Sequence, residues 1–300
     1  MRRVTLVVNP SAGHGRGRRL LEPVAARLAA AGLAVEARTS NDFHHCLRLC
    51  REAVAAGDDA LVVVGGDGMV HAGLNACART DVPLGIIPAG TGNDFARSVG
   101  VPYRWQAAAD AIIAGEARKI DLMAAEGDLD EGPSAYIGSA LSTGFDEKVA
   151  ARAASLPLHL AAPSYAFAVF AELRRFRPLR YRLTQDGVMR ELDAILVVVA
   201  NAGIIGGGIR IAPDVDLDDG LLDVTVVHPV GRATLFRLFP RLYTGTFVRH
   251  PAIERFRTPR ITVDGPDLRG SADGEPFGRV PITCTAVRRG LQVLVPREPR

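Results

Sequence analysis

The sequence predicts an α/β domain built on a parallel sheet, followed by an antiparallel sandwich or barrel domain. Short apolar runs alternate with helical stretches through residues 1–125, the pattern of parallel strands covered on both faces. Glycine-rich turns follow three of those runs, at the strand ends where such sheets bind ligands. Past Asp121 the pattern becomes strands separated by turns, as in a sandwich or barrel.

The elements follow in order. VTLVVN is an apolar strand that stops at Asn9-Pro10, and residues 17–32 have apolar positions at helical spacing and a terminating Gly32. LAVEARTS reads as a second strand, residues 43–57 as a second helix, and DALVVVGGDG as a third strand running into glycines. HAGLNACAR is a third helix, and VPLGIIPAGTGNDFARSVG is a fourth strand with a turn and a helix start. From Arg118, across a boundary placed near residue 125, eight strand-like runs extend to LQVLVP, interrupted by helical patches at 159–177 and 231–244. The domains are therefore expected at 1–125 and 126–300, with the last strand, 291–296, a candidate to return to the first.

Composition narrows the function. With 48% hydrophobic and 23% charged residues the 300-residue chain has enough apolar surface for one large core or two medium ones, which excludes a disordered reading. The net charge is +3, from 36 basic residues interleaved with 33 acids, so no nucleic-acid partner is expected. Four cysteines, at 46, 50, 77 and 284, do not make a disulfide framework in a chain of this length. The N-terminal apolar run is too short for a signal peptide, and no uncharged run of about 18 residues exists to span a bilayer. A cytoplasmic protein with at most peripheral membrane contact is expected.

Three strings carry the chemistry. NPSAGHGRG (9–17) follows the first strand, and its glycines let backbone N–H groups approach an anion at a helix N-terminus. It lacks the Gly-Lys-Ser/Thr of a P-loop, and a plain strand-to-helix turn reads equally well. VVVGGDGMVH (62–71) delivers Gly65, Gly66, Asp67 and Gly68 into a cleft. A carboxylate there is costly to bury unless it meets a metal, a donor or a substrate hydroxyl, the alternative being a cap on the next helix. IIPAGTGNDFAR (86–97) offers Thr91 to a phosphate oxygen and Asp94 to Mg2+, directly or through water, the alternative being a helix cap, which suits Asn93 better than the whole string.

Together these strings resemble the diacylglycerol kinase catalytic-domain family, which includes bacterial lipid kinases, sphingosine kinases and ceramide kinases. STGFDEKVA (142–150), ANAGIIGGGIRIAPDVDLDDGLLDV (200–224) and SADGEPFG (271–278) extend the resemblance over nearly the whole chain. It implies a parallel sheet of the NAD kinase/phosphofructokinase-like type, then a β-sandwich, with the active site between them.

By similarity the NPSAG turn (Asn9, Pro10, Ser11, Ala12, Gly13) and the GGDG segment (Gly65, Gly66, Asp67, Gly68) with the adjoining Met69 bind ATP. Thr39 at the end of the second strand, and Gly90, Thr91, Gly92 and Asn93, add contacts. The DGE string places Asp273 and Glu275 at the cleft, either one being the candidate base for a lipid hydroxyl, with Asp67 as a further catalytic carboxylate. Mg2+ is expected at Asp94 and, by family resemblance, in the DDG turn at Asp216, Asp219 and the carbonyl of Leu221. Where many members have GGDGT followed by a polar residue two positions on, this chain has Met69 and His71, which removes one hydroxyl from the phosphate turn.

The expected function is an ATP- and Mg2+-dependent lipid kinase that converts diacylglycerol or a related, for example sphingoid, lipid to phosphatidic acid or its analogue. Two rivals stand: a kinase of NAD or another soluble alcohol, and an inactive nucleotide- or lipid-binding protein. The segments LHLAAPSYAFAVFAELRRFRPLRYRL and LFRLFPRLYTGTFVRH mix arginines with aromatics, as suits an anionic membrane interface or core helices with solvated basic ends. A homodimer is compatible with the sequence. His44, His45, Cys46 and Cys50 share one helix but lack the second ligand pair of a metal site, and packing is their expected role.

Overall fold

The computed structural model describes residues 2–144 and 178–297. The helical patch expected at 159–177, and the STGFDEKVA string from Phe145 onward, lie outside the described residues.

The first half alternates as β1 (Arg3–Val8), α1 (Ala12–Ala30), β2 (Ala34–Thr39), α2 (Phe43–Ala55), β3 (Ala60–Gly65), α3 (Asp67–Cys77) and β4 (Leu84–Pro88). β3 and β4 are buried at every residue, as their unbroken Val, Leu and Ile runs require, while β2 lies on the edge and is half exposed. The four strands are parallel in the order β2-β1-β3-β4. The chain runs outward from β1 to β2 and then jumps back to β3 on the other side of β1. The resulting switch point, where an open α/β sheet holds its ligand, lies between the ends of β1 and β3. Two short helices follow, α4 (Asp94–Ser98) and α5 (Trp105–Ala114).

The second half opens with β5 (Ala117–Leu129), β6 (Gly132–Ile137) and β7 (Ala140–Gly144). After the gap come β8 (Leu179–Gln185), β9 (Val188–Ala194), β10 (Leu196–Ala200), the short pair β11 (Ile204–Ile205) and β12 (Ile209–Arg210), and β13 (Leu222–Val227). Helix α6 (Arg232–Thr244) and a 3-10 turn precede β14 (Ile253–Thr258), β15 (Arg260–Asp264), β16 (Arg269–Ala272) and the 20-residue β17 (Glu275–Leu294). The strands of this half pair antiparallel with one another, giving the β-sandwich-like second domain. Each half has its own core. Leu6, Val63, Ile86 and Leu28 sit in the first, and Met123, Tyr181, Val224 and Ile282 in the second.

β17 joins the two. It pairs antiparallel with β5 from Gly278 to Leu294, with two irregularities, while Val293 pairs in parallel with Leu84 of β4. Leu291, Val293 and Leu294 are buried in the first core.

Several elements differ from the pattern read in the sequence. α3 begins at Asp67 rather than near His71, so the last two residues of GGDG are already helical. α1 begins at Ala12 but passes through three left-handed residues, Gly13, His14 and Gly15, before it becomes regular. α5 is an added helix, an Ala- and Ile-rich run closed by Gly115 in the left-handed conformation. β9 and β14 are added strands whose charged sequences, VMRELDA and IERFRT, show no clean apolar alternation.

Asp121 secures the junction. It is 1% exposed and its carboxylate accepts backbone N–H from Gly220 (2.7 Å) and Arg289 (2.6 Å), while its own N–H donates to Leu217 (2.7 Å). It thus ties β5 to the loop before β13 and to an irregularity in β17. Replacing it with Ala removes two charge-assisted hydrogen bonds to part-buried N–H groups, at a cost of about 1.5–3 kcal/mol each. Denaturant unfolding should show Asp121→Ala less stable by at least that amount, with Asp121→Asn, which keeps one acceptor, between Ala and native.

Candidate active site

The three glycine turns meet because they pack backbone against backbone. A Cβ on Gly90 would lie 2.4 Å from the Gly66 Cα, and one on Gly13 would lie 2.0 Å from the carbonyl oxygen of Ala89. These glycines therefore let the turns touch each other. Gly68, by contrast, has no neighbour within 4 Å of such a Cβ and faces open space at the N-terminus of α3. That end carries the positive pole of the helix and backbone donors suited to an anion.

Asp67 holds the third turn in place. Its carboxylate accepts N–H from Asn93 (2.8 Å) and Asp94 (2.7 Å), capping α4 and not the helix in which Asp67 itself lies. Asn93, at φ +54°, closes the turn by accepting from the Gly90 N–H (3.0 Å) and donating to the Gly90 carbonyl (2.8 Å). Burial, and then the charge of Asp94, push the Asp67 carboxyl up to about 6 against the pull of its two donors. Asp94 accepts N–H from Gly207 (2.7 Å) through Oδ2, whereas its buried Oδ1 has no hydrogen-bond partner. Burial raises its pKa, with the Gly207 donor and Arg97 opposing.

From the second domain, Asp273 enters on the turn between β16 and β17, in a left-handed conformation at φ +50°. Its Oδ1 accepts from Ser139 N–H (2.7 Å), and its Oδ2 from Gly138 N–H (3.1 Å) and from His71 Nδ1 (2.9 Å). His71 Nε2 lies 3.2 Å from Glu131 Oε1. Burial alone would lower the His71 pKa, but Asp273 and Glu131 outweigh it and push it up to about 10. Asn75, one turn further along α3, donates to the Tyr136 carbonyl (2.9 Å) and accepts its N–H (2.8 Å), so α3 clasps β6 of the second domain.

Between these groups lies a cleft of about 580 Å³. Asn9, Ala12 and Gly13 line it from the first turn, Gly66, Asp67, Gly68 and Met69 from the second, and Gly90 and Thr91 from the third. Asp273 and Glu275 line the opposite wall. Pro10, Ser11, Thr39, Gly65, Gly92 and Asn93 stand back from that lining; Gly65 packs on Met69 and Asn93 supports its own turn. A smaller space of about 110 Å³ adjoins Asp67, Asp94, Ser142 and Asp273.

The DDG turn lies apart from both. Asp216 accepts from the Asp218 N–H (3.1 Å) and Asp219 from the Leu221 N–H (2.9 Å), with Arg257 3.5 Å from the second Asp219 oxygen. Among the described residues no group of three or more His, Cys, Asp or Glu side chains is arranged to hold a metal. The donors present are nonetheless hard oxygens, which suit Mg2+, and Asp94 Oδ1 is a buried acceptor lacking a donor. The residues fit the ion.

Sequence reasoning missed the roles of Phe43, Glu131 and His71. Phe43 and Glu131 line the cleft from the start of α2 and from the β5–β6 turn. His71 stood out only as a departure from the usual pattern, and its carboxylate partners lie 60 and 202 residues further along the chain. The cysteines are all free, as composition implied. Cys46 Sγ lies 3.2 Å from Met69 Sδ beneath the cleft, a packing contact.

The His71 pKa lies above its ordinary 6.5, so the stability its imidazolium contributes is complete below about 6.5 and is lost as pH rises through about 10. Urea unfolding of the native and His71→Leu chains should show a stability gap that narrows across that window. A constant gap would contradict the assignment.

Comparison with known proteins shows what the chain resembles. The sequence profile of the diacylglycerol kinase catalytic domain matches residues 3–125, and that of the YegS C-terminal NAD kinase beta sandwich-like domain matches 139–295. A diacylglycerol kinase of Mycobacterium tuberculosis (strain ATCC 25618 / H37Rv) is 39% identical over 297 residues, covering 98% of this chain and 96% of the relative. One from Bacillus subtilis (strain 168) is 26% identical over 302 residues, covering 99% and 98%. The crystal structure of a candidate diacylglycerol kinase from Bacillus anthracis str. Sterne superposes with a TM-score of 0.79 at 25% identity, covering 98% of this chain and 95% of that one. Two matching domains in the right order, and a relative alike from end to end, place the chain in the diacylglycerol kinase family, whose members are phosphotransferases.

Proposed function

We propose that this chain transfers the γ-phosphoryl group of ATP to the hydroxyl of diacylglycerol or a closely related lipid, giving phosphatidic acid or its analogue. The observation that carries the reading is Asp273, a carboxylate from the second domain fixed by three donors on the wall opposite the glycine turns. Phosphoryl transfer asks mostly for positioning and charge neutralisation. The exposed N-terminus of α3 at Gly68 offers dipole and N–H groups to the phosphates, and Thr91 offers a hydroxyl.

Asp273 Oδ1 accepts one protein donor against two on Oδ2, so it keeps room for the acceptor hydroxyl. As the hydroxyl oxygen bonds to the γ-phosphorus, the bond from that phosphorus to the β–γ bridging oxygen breaks. Its electron pair leaves with ADP, and the hydroxyl proton passes to Asp273. Glu275 begins β17 on an exposed rim, and its side chain accepts no hydrogen bond among the described residues, which favours Asp273 as the base. Asp67 acts by holding the Asn93–Asp94 turn.

Among the described residues the cleft lining has no Arg or Lys, while Asp42, Asp67, Asp130, Glu131, Asp273 and Glu275 are acidic. A polyphosphate entering there needs a cation with it, which supports Mg2+ dependence. Asp94 would hold Mg2+ beside the phosphates, and Asp216, Asp219 and the Leu221 carbonyl a second ion in the DDG turn. Bound there, the metal supplies charge neutralisation.

Labelled ATP offered with diacylglycerol micelles, sphingosine and NAD should label the glycerolipid. Labelling of NAD alone, or ATP binding with no acceptor consumed, would overturn the reading. Asp273→Asn should lower kcat by at least about 10²-fold, the contribution expected of a positioned base.

No described helix is long and apolar enough to cross a membrane. On α6, Arg237 and Arg241 accompany Phe236 and Tyr243, which are 37% and 42% exposed. That mixture supports docking on an anionic lipid surface. Flotation should show more protein on anionic than on neutral vesicles, and equal recovery on both would count against docking.

A further inference from the structure

His71 is a buried ionisable group that the transfer step does not use, and its surroundings are unusually specific. Five elements close on the ring. Asp273 comes from the β16–β17 turn, Glu131 from the β5–β6 turn, Asn75 from α3 itself, Phe43 from α2 and Phe277 from β17. The ring is 5% exposed, 6.0 Å from the Phe43 centroid and 6.4 Å from that of Phe277.

The hydrogen-bond inventory fixes the state of the ring. Asn75 Nδ2 has two hydrogens, and both have carbonyl acceptors, at His71 (3.0 Å) and Tyr136 (2.9 Å). Asn75 cannot flip, because its Oδ1 accepts the Tyr136 N–H. The 3.3 Å approach of Asn75 Nδ2 to His71 Nε2 therefore brings the ring nitrogen no hydrogen. Nε2 is left facing Glu131 Oε1 at 3.2 Å, and Nδ1 donates to Asp273, so the ring is an imidazolium between two carboxylates.

We propose that His71, oriented by Glu131, is a positioning residue for phosphoryl transfer: it occupies Asp273 Oδ2 and thereby presents Oδ1 alone to the acceptor hydroxyl. The proposal rests on the reading of Asp273 as the base. With the His71 Nδ1 and Gly138 N–H on Oδ2, the carboxylate cannot rotate without breaking charge-assisted bonds. Glu131, on the cleft wall with 24% of its side chain exposed, holds the ring from behind. The bridge also sets a positive charge within a wall otherwise lined by carboxylates, where a phosphate must approach.

The test is steady-state phosphoryl transfer from ATP to diacylglycerol micelles, with turnover counted per folded molecule from thermal unfolding. His71→Leu should lower kcat by about 10- to 100-fold, the cost of a small misplacement at a reacting group, with KM for ATP within about 2-fold of native. His71→Asn sets a side-chain N–H where Nδ1 stood and should recover most of that loss. Glu131→Gln should fall between native and His71→Leu. Native kcat in His71→Leu, or no recovery in His71→Asn relative to Leu, overturns the proposal. Should His71→Leu fail to fold, native rates in both His71→Asn and Glu131→Gln overturn it instead. Asp273→Asn separates the two ideas. If it is inactive while the His71 variants turn over normally, the base stands and the positioning role falls; if it turns over at the native rate, the base reading itself is wrong.

Discussion

The site depends on one half-buried carboxylate accepting two backbone N–H groups. Asp67 leaves β3 on the glycine turn and caps α4, a helix that begins 27 residues later. Through that pair of bonds the ends of β3 and β4 become one surface, and Gly66 and Gly90 are pressed together. The cost of burying the charge shows in the upward push on the carboxyl, and the donors offset part of it. Without the cap, the third turn would lose its anchor and Asp94 its place beside the cleft.

α3 does a second kind of work. Its N-terminus faces the cleft at Gly68, its middle carries His71 to Asp273, and Asn75 clasps β6 through paired amide bonds. Polar groups facing one way along a single helix therefore join the two domains and set the distance across the cleft. The helix is buried almost throughout, from Met69 to Cys77. Its rigidity comes from packing, and its reach from side chains at i and i+4.

Much of this could be read in the chain itself, where the cause is local. The parallel strands follow from the continuous apolar runs of β3 and β4, and the glycine turns from their place after those runs. The two-domain order follows from the change of pattern near Asp121. What escaped is what depends on distant partners. The glycines were expected to make room for phosphate, yet Gly13, Gly66 and Gly90 make room for neighbouring backbone. The carboxylate of Asp67, read in the sequence as a catalytic group or a cap on the next helix, caps α4, a helix too far along the chain for any local pattern to show it. α5 was missed although Gly115 marks its end, because the Ala-rich run before it has weak amphipathic contrast. β14 was missed because its arginines answer Asp214 and Asp223, partners that no local period reveals.

β17 bears on where this polypeptide divides. Its last residues, Leu291, Val293 and Leu294, fill the core of the N-terminal half, and Val293 borders β4. A fragment cut after residue 125 would lack that cover, leaving β4 as a bare parallel edge over an open hydrophobic seam. Such an edge recruits any strand it meets, so the excised piece would be sticky rather than autonomous. The chain is two domains in its architecture and a single unit in its assembly, since the last strand made is the one that seals the first sheet.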